Sequence, residues 1–162
     1  MPADLTIRPL TAADRDLLAE LPSRVSPQSA ISRFHGAVSS LAGPLLDHLL
    51  DLHDGEREAL AALDSQGIVG VARFARDADD PDTAEVAILV ADEWQHRGVA
   101  HLLFAPLRAR ALAAGITKIR ADMLSENTAA RRLFAELAPT LNERHVGGHV
   151  VMTMDLLGAR PS

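Results

Sequence analysis

Residues 5–10, Leu-Thr-Ile-Arg-Pro-Leu, alternate apolar and polar positions, the period of a half-buried strand. From Asp14 to Leu21 the period lengthens. Leu17, Leu18 and Leu21 fall on one side of a predicted helix, with Thr11 as its cap, Asp14 in the acid-favouring first turn and Pro22 as its stop. Ser26-Pro27, a capping residue before a proline at the first helical position, predicts a short helix through Ile31 and Phe34. Gly43-Pro44 punctuates, and Leu45 to Leu52 has the pattern of a further amphipathic helix ending near Gly55.

Beyond residue 58 the period shortens again. Glu58 to Leu63 predicts a strand, weakened by its alanines. Asp64-Ser65-Gln66-Gly67 is turn chemistry, and Ile68 to Phe74 is the returning strand of a hairpin. The acidic run Asp77–Asp82 has the composition of a solvated loop. Val86 to Val90 is an apolar, β-branched run of buried-strand type, broken by Ala91-Asp92-Glu93-Trp94-Gln95. Val99, Leu102, Leu103, Leu107 and Ala111 then recur at helical spacing, up to Gly115 in the place of a left-handed C′ residue. Pro106 falls inside that helix, where it should delete one hydrogen bond and kink the chain. Lys118–Leu124 predicts a strand and Thr128–Leu137 a helix ended by Pro139. Leu141–Val146 and His149–Leu156 flank Gly147-Gly148, a hairpin signal. The element order predicts a mixed α/β layer structure, with helices on both faces of a central sheet.

Composition narrows the class. A chain of 162 residues, 48% hydrophobic, is expected to form one domain over residues 1–162 with a sizeable core. No apolar run approaches the roughly 20 residues that span a bilayer, and no secretory signal is visible, so the expectation is a cytoplasmic protein without a membrane partner. The absence of cysteine excludes disulfides, thiolate metal sites and a cysteine nucleophile. A net charge of −6 gives no basic footprint for nucleic acid.

The stretch from Ala84 to Gly115 carries the candidate chemistry. A strand, a tight turn, the small residues Gly98 and Ala100 and a helix start together present unpaired N–H groups at the positive end of a helix dipole. That suits an anion, phosphate above all.

Gln95-His96-Arg97-Gly98-Val99-Ala100 resembles the Gln/Arg-x-x-Gly-x-Gly/Ala motif of the GNAT acyltransferases. Ser125-Glu126-Asn127-Thr128-Ala129-Ala130 is similar to that family's Asn-x-x-Ala segment, and the element order resembles the fold over roughly residues 5–156. Ser26-Pro27-Gln28-Ser29, Arg33-Phe34, Gly70–Phe74 and Ala91–Gln95 look like the catalytic domain of bacterial protein-lysine acetyltransferases. The resemblance implies an α/β (α+β) fold of GNAT type, with a mixed, mostly antiparallel central sheet and helices on both faces. It implies acetyl-CoA as cosubstrate, no metal, and an amine acceptor, either a protein lysine or a small molecule. Main-chain groups of Ile88, Leu89 and Val90 would pair with the pantetheine arm as an added strand. Gln95, His96, Arg97, Gly98, Val99, Ala100 and His101 would hold the pyrophosphate, with Gly98 leaving room for it. The Asn127 side chain would bind the pantetheine.

Amine acylation needs a base for the amine proton, polarisation of the carbonyl and a proton for the departing thiolate. Glu85 matches the glutamate of the lysine-acetyltransferase subset and is the expected base. It shares a strand face with Ala87 and Leu89, so partial burial and a raised pKa are expected of it. The backbone N–H of Val90 or a neighbour is the expected oxyanion donor. Many family members supply the acid from a tyrosine on the helix after Asn127, whereas this chain has no tyrosine and places Phe134 near that position. That departure keeps a non-catalytic acyl-CoA-binding module open beside the enzyme. The sequence leaves the oligomeric state open, a homodimer included. His145 and His149, flanking the hairpin turn, are expected at the surface rather than on a metal. Trp94 is expected to pack beside the phosphate loop, and Arg131 and Arg132 to lie on an exposed helix face.

Overall fold

The computed structural model describes residues 5–21, 46–47 and 49–158. The helix expected from Ser26-Pro27, the Gly43-Pro44 break and the Ser26–Ser29 and Arg33-Phe34 likenesses lie outside them. The helix expected over Leu45–Leu52 lies partly outside; residues 46, 47 and 49 are helical, and Leu46 and Leu49 are buried.

Seven strands form one sheet in the order β1-β2-β3-β4-β5-β7-β6. They are β1 (Thr6–Pro9), β2 (Arg57–Asp64), β3 (Gly67–Arg76), β4 (Thr83–Val90), β5 (Lys118–Leu124), β6 (Thr140–Val146) and β7 (His149–Asp155). Among the described residues, the helices with full bounds are α1 (Arg15–Glu20), α2 (Val99–Ala113) and α3 (Thr128–Leu137). Every pairing is antiparallel except β4 with β5, whose register covers only Thr83↔Lys118, Ala84↔Ile119 and Glu85↔Arg120. Beyond Glu85 the two strands diverge, so the middle of the sheet opens into a fork.

Alternation along β3 and β4 assigns the faces. Gly70, Ala72 and Phe74 stand beside Val90, Ile88 and Val86 on the face that α2 covers. A Cβ at Gly70 would lie 3.2 Å from Leu103 Cδ1 and 3.3 Å from Val99 Cγ1, so glycine lets the helix lie close on the sheet. The helix α3 lies on the same face, where Arg131 meets Glu143 of β6 at 3.2 Å. The opposite face carries Arg73, Glu85 and Arg120, and at the β3 end it packs against Leu17 of α1.

The expected elements fall close to these bounds. The first helix is shorter than Asp14–Leu21, because Ala12–Asp14 forms a 3-10 turn before α1. There the carboxylate of Asp14 accepts from the Thr11 N–H at 2.9 Å and from both ends of the Arg8 guanidinium at 2.8 and 2.7 Å. This ties β1 to the helix start, with Asp14 buried. The apolar stripe of α2 is Val99, Leu103, Phe104, Leu107 and Ala111, with Phe104 buried where Leu102 was expected. Pro106 lies within α2, which runs unbroken as a helical segment from Val99 to Ala113. Gly115 follows at φ +86°, the left-handed residue that the pattern called for.

Candidate cofactor and active site

The fork between β4 and β5 opens into a cavity of about 520 Å³. Its walls are Ile88–Val90 of β4, the loop residues Trp94, Gln95, His96 and Gly98, the first turn of α2 and one side of α3. The ladder explains why the β4 backbone is available there. Antiparallel pairs alternate in their hydrogen bonding, and the Ala91 N–H donates to Val69 O at 2.7 Å. Odd-numbered residues of β4 therefore bond to β3, Leu89 opposite Val71 among them. The N–H and C=O groups of Ile88 and Val90 point the other way, into the fork. Of the three residues expected to pair with a pantetheine arm, Leu89 contributes a side chain and not its backbone. The Val90 carbonyl already accepts from Gln95 Nε2 at 3.1 Å, which leaves its N–H as the group directed at a ligand.

The loop and the start of α2 form the anion-binding end. His96 has φ +61° and Gly98 φ +83°, two left-handed residues that turn successive N–H groups inward. For histidine this is a strained backbone, of a kind that collects at ligand sites. The first intrahelical bond of α2 runs from the Leu102 N–H to Gly98 O at 3.0 Å. The N–H groups of Val99, Ala100 and His101 therefore have no helical partner and carry the positive end of the dipole. A Cβ at 98 would meet no protein atom within 4 Å, and the positive φ is a second reason for glycine there.

Ten of the eleven expected cofactor residues line the cavity; Arg97 does not. Its guanidinium lies 4.6 Å from the Trp94 ring centroid, a cation–π contact that holds a positive charge beside the loop. Asn127 is buried and caps α3, its Oδ1 accepting from the Ala130 N–H at 3.1 Å. From α3 the cavity also gains Ala129, Ala130, Arg132, Leu133 and Glu136. The small pair Ala129-Ala130 at a helix start was the available signal, since it repeats what Ala100 does on α2. Glu136 lies 3.6 Å from His101, a contact that bridges the two helices. Among the described residues no group of three His, Cys, Asp or Glu is placed to hold a metal ion.

Glu85 departs from expectation. It lies on the face away from α2, and it is exposed where partial burial was expected. The buried charge on that face is Arg73, 9% exposed and between Ala59 of β2 and Ala87 of β4. Its Nε and Nη2 are buried with no hydrogen-bond partner among the described residues. Burial pushes the guanidinium below its ordinary range and nearby Arg57 adds to that, while Glu85 and Asp51 oppose it. His149, expected at the surface, is instead half-buried, with Nδ1 3.0 Å from Asp122 Oδ1 of β5. His145 is exposed. Phe134 is buried, with no proton to give. Arg132 is exposed and lines the cavity, whereas Arg131 is drawn to Glu143.

A family model described as the acetyltransferase (GNAT) family matches residues 28–138. The chain is 26% identical over 149 residues to "Acetyltransferase Pat" of Mycolicibacterium smegmatis, covering 91% of this chain and 44% of that protein. It thus spans less than half of that relative's length. It is 30% identical over 139 residues to "Acetyltransferase PA5475" of Pseudomonas aeruginosa, covering 83% of this chain and 72% of the relative. The crystal structure of the GNAT domain of S. lividans PAT superposes with a TM-score of 0.83 at 27% identity. That match covers 92% of this chain and 89% of the domain.

Proposed function

The chain belongs to the GNAT family of acetyltransferases, and from that premise we propose that it moves the acetyl group of acetyl-CoA to a lysine side chain of cytoplasmic proteins, with Glu85 as general base. The observation that carries the cofactor half is the fork. A β4 edge with outward-facing N–H groups at Ile88 and Val90 continues into a turn and a helix start with three N–H groups that have no helical partner. An acyl-pantetheine arm takes the first and a pyrophosphate the second. The small residues Gly98 and Ala100 keep that approach open, and the Val90 N–H is the donor for the oxyanion.

The acceptor half rests on Glu85 and on the likeness to the Pat proteins. Glu85 is three residues, about 10 Å, along β4 from Ile88. At that distance its carboxylate takes the amine proton through water rather than by direct contact. An exposed carboxylate fits an acceptor that arrives on a protein surface.

Replacing Glu85 by Gln keeps the shape and removes the base. We expect Glu85→Gln to lower kcat about a hundredfold near neutral pH, with unchanged acetyl-CoA affinity by calorimetry. Equal turnover would remove Glu85 from the mechanism. Steady-state assays of lysine-bearing proteins against free amines decide the acceptor. Turnover confined to a small amine would sink the protein-lysine reading, and no turnover on either panel would sink the acyl-transfer reading with it.

A further inference from the structure

The reaction leaves a proton to be delivered to the thiolate, and the chain has no tyrosine and no cysteine to deliver it. The opposite face of the fork carries a group suited to the task. His149 is the first residue of β7 and stands opposite Leu124, the last residue of β5, with Asp122 two positions earlier on the same face of β5. The contact from His149 Nδ1 to Asp122 Oδ1 therefore crosses from β7 onto β5 and carries the ring towards the fork, away from β6. In the tautomer that donates Nδ1–H to the carboxylate, Nε2 carries the lone pair, the arrangement that orients an imidazole for proton transfer.

The surroundings fix this position. The Ser125 N–H donates to Gly148 O at 2.9 Å, so the turn before His149 is tied to the β5–α3 turn that supplies the cavity residue Asn127. The two side chains are 34% and 26% exposed, screened in part but open to a substrate. Other polar side chains on this face serve less well. Arg120 is held by Asp77 at 3.0 Å, and a guanidinium does not release a proton near neutrality. Arg144 of β6, opposite Val151, has the same limit. Glu85 is on the other arm of the fork.

We propose that His149, oriented by Asp122, is the proton carrier between the attacking nitrogen and the departing sulfur. This rests on the acyl-transfer reading above. The acceptor ammonium first loses a proton to Glu85 and thence to solvent. The neutral amine attacks the thioester carbon, forming the C–N bond and pushing the carbonyl electrons onto oxygen. The adduct nitrogen gives its surplus proton to His149 Nε2, and the carbonyl re-forms as the C–S bond breaks. The sulfur then takes that proton from the imidazolium. The products are an amide, a thiol and one proton in solvent, and the ring returns to its neutral form.

The alternative is a half-exposed ion pair with no chemistry, worth little to stability. Single-turnover rates separate the two. We expect His149→Gln to slow acyl transfer about a hundredfold, leaving acetyl-CoA affinity unchanged, and Asp122→Asn to slow it about tenfold. Added imidazole should restore a substantial part of the rate in His149→Ala, a rescue that a merely structural role would not give. If wild type turns over and His149→Gln matches it, the proton-carrier role is overturned while the acyl-transfer reading stands. The same holds if the loss appears only in acetyl-CoA affinity or resists imidazole. A wild type inactive on every amine overturns both.

Discussion

Arg73 holds a buried charge whose hydrogen-bonding capacity the described residues around it do not meet. A guanidinium has five N–H donors and stays ionised in proteins, and two of Arg73's nitrogens are buried without a partner among the described residues. Each unmet donor costs on the order of 1–3 kcal/mol, and buried charges of this kind are often replaced by apolar side chains with a gain. Met, with an unbranched stem of similar reach, is the natural substitute. Arg73→Met should raise the melting temperature by about 2–4 °C per kcal/mol recovered. A lower melting temperature in calorimetry would mean that the opposing field of Glu85 and Asp51 already compensates the charge. Sequence legibility stops at this scale. The alternation of β4 correctly put Glu85 on one face with Ala87 and Leu89, but alternation does not say what covers a face. Glu85 is exposed, and the buried charge is two residues along a neighbouring strand. In the same way the Gly147-Gly148 signal located His149 at a hairpin end without disclosing Asp122 on another strand, since such a pairing depends on register.

At the scale of elements, the β1–α1 junction is held by one carboxylate. The Arg8 guanidinium holds Asp14 below the usual carboxylate range, with the Thr11 N–H helping and burial opposing. A depressed folded pKa gives stability that is present above the unfolded value of about 3.9 and lost as pH falls through the folded value. Arg8 is 38% exposed, so solvent screens the pair and its worth is set at about 1 kcal/mol. Asp14→Asn should therefore melt lower than wild type at pH 7, and the gap should close on acidification below about pH 4. A gap that is constant from pH 7 to 2.5 would show that the loss is in packing and not in the charge. Elsewhere the elements were legible wherever local chemistry is strong. Lys118–Leu124 and Thr128–Leu137 have the same bounds in the pattern and in the fold, because turn residues and a capping asparagine bracket them. The start of β4 at Thr83 was less legible. It is fixed by bonds of the Thr83 N–H to Asp80 O and of the Asp77 N–H to Thr83 O, contacts within what looked like a plain acidic loop.

For the whole molecule, the decisive feature is a sheet joined through its weakest pairing. The strands β1–β4 and β5–β7 each form antiparallel ladders, and three parallel register pairs between β4 and β5 connect them. No local sequence signal marks where that pairing stops. The apolar run of β4 continues to Val90, and only the strand order shows that its last residues face a gap. A ligand lying along that edge adds hydrogen bonds where the sheet lacks them, and it binds the folded chain alone. Acetyl-CoA at a hundred times its Kd should then stabilise by about 2.7 kcal/mol, which for a chain of 162 residues is a rise of roughly 5–10 °C in melting temperature. Pantetheine, which lacks the pyrophosphate, should give a smaller rise, because it leaves the Val99, Ala100 and His101 N–H groups unmet. The phosphate share should also weaken as salt rises, since the chain's net charge of −6 leaves the attraction to local donors and to Arg97. Equal shifts from acetyl-CoA and pantetheine would deny the helix-start site its role, and no shift from either would show that the fork does not bind the cofactor.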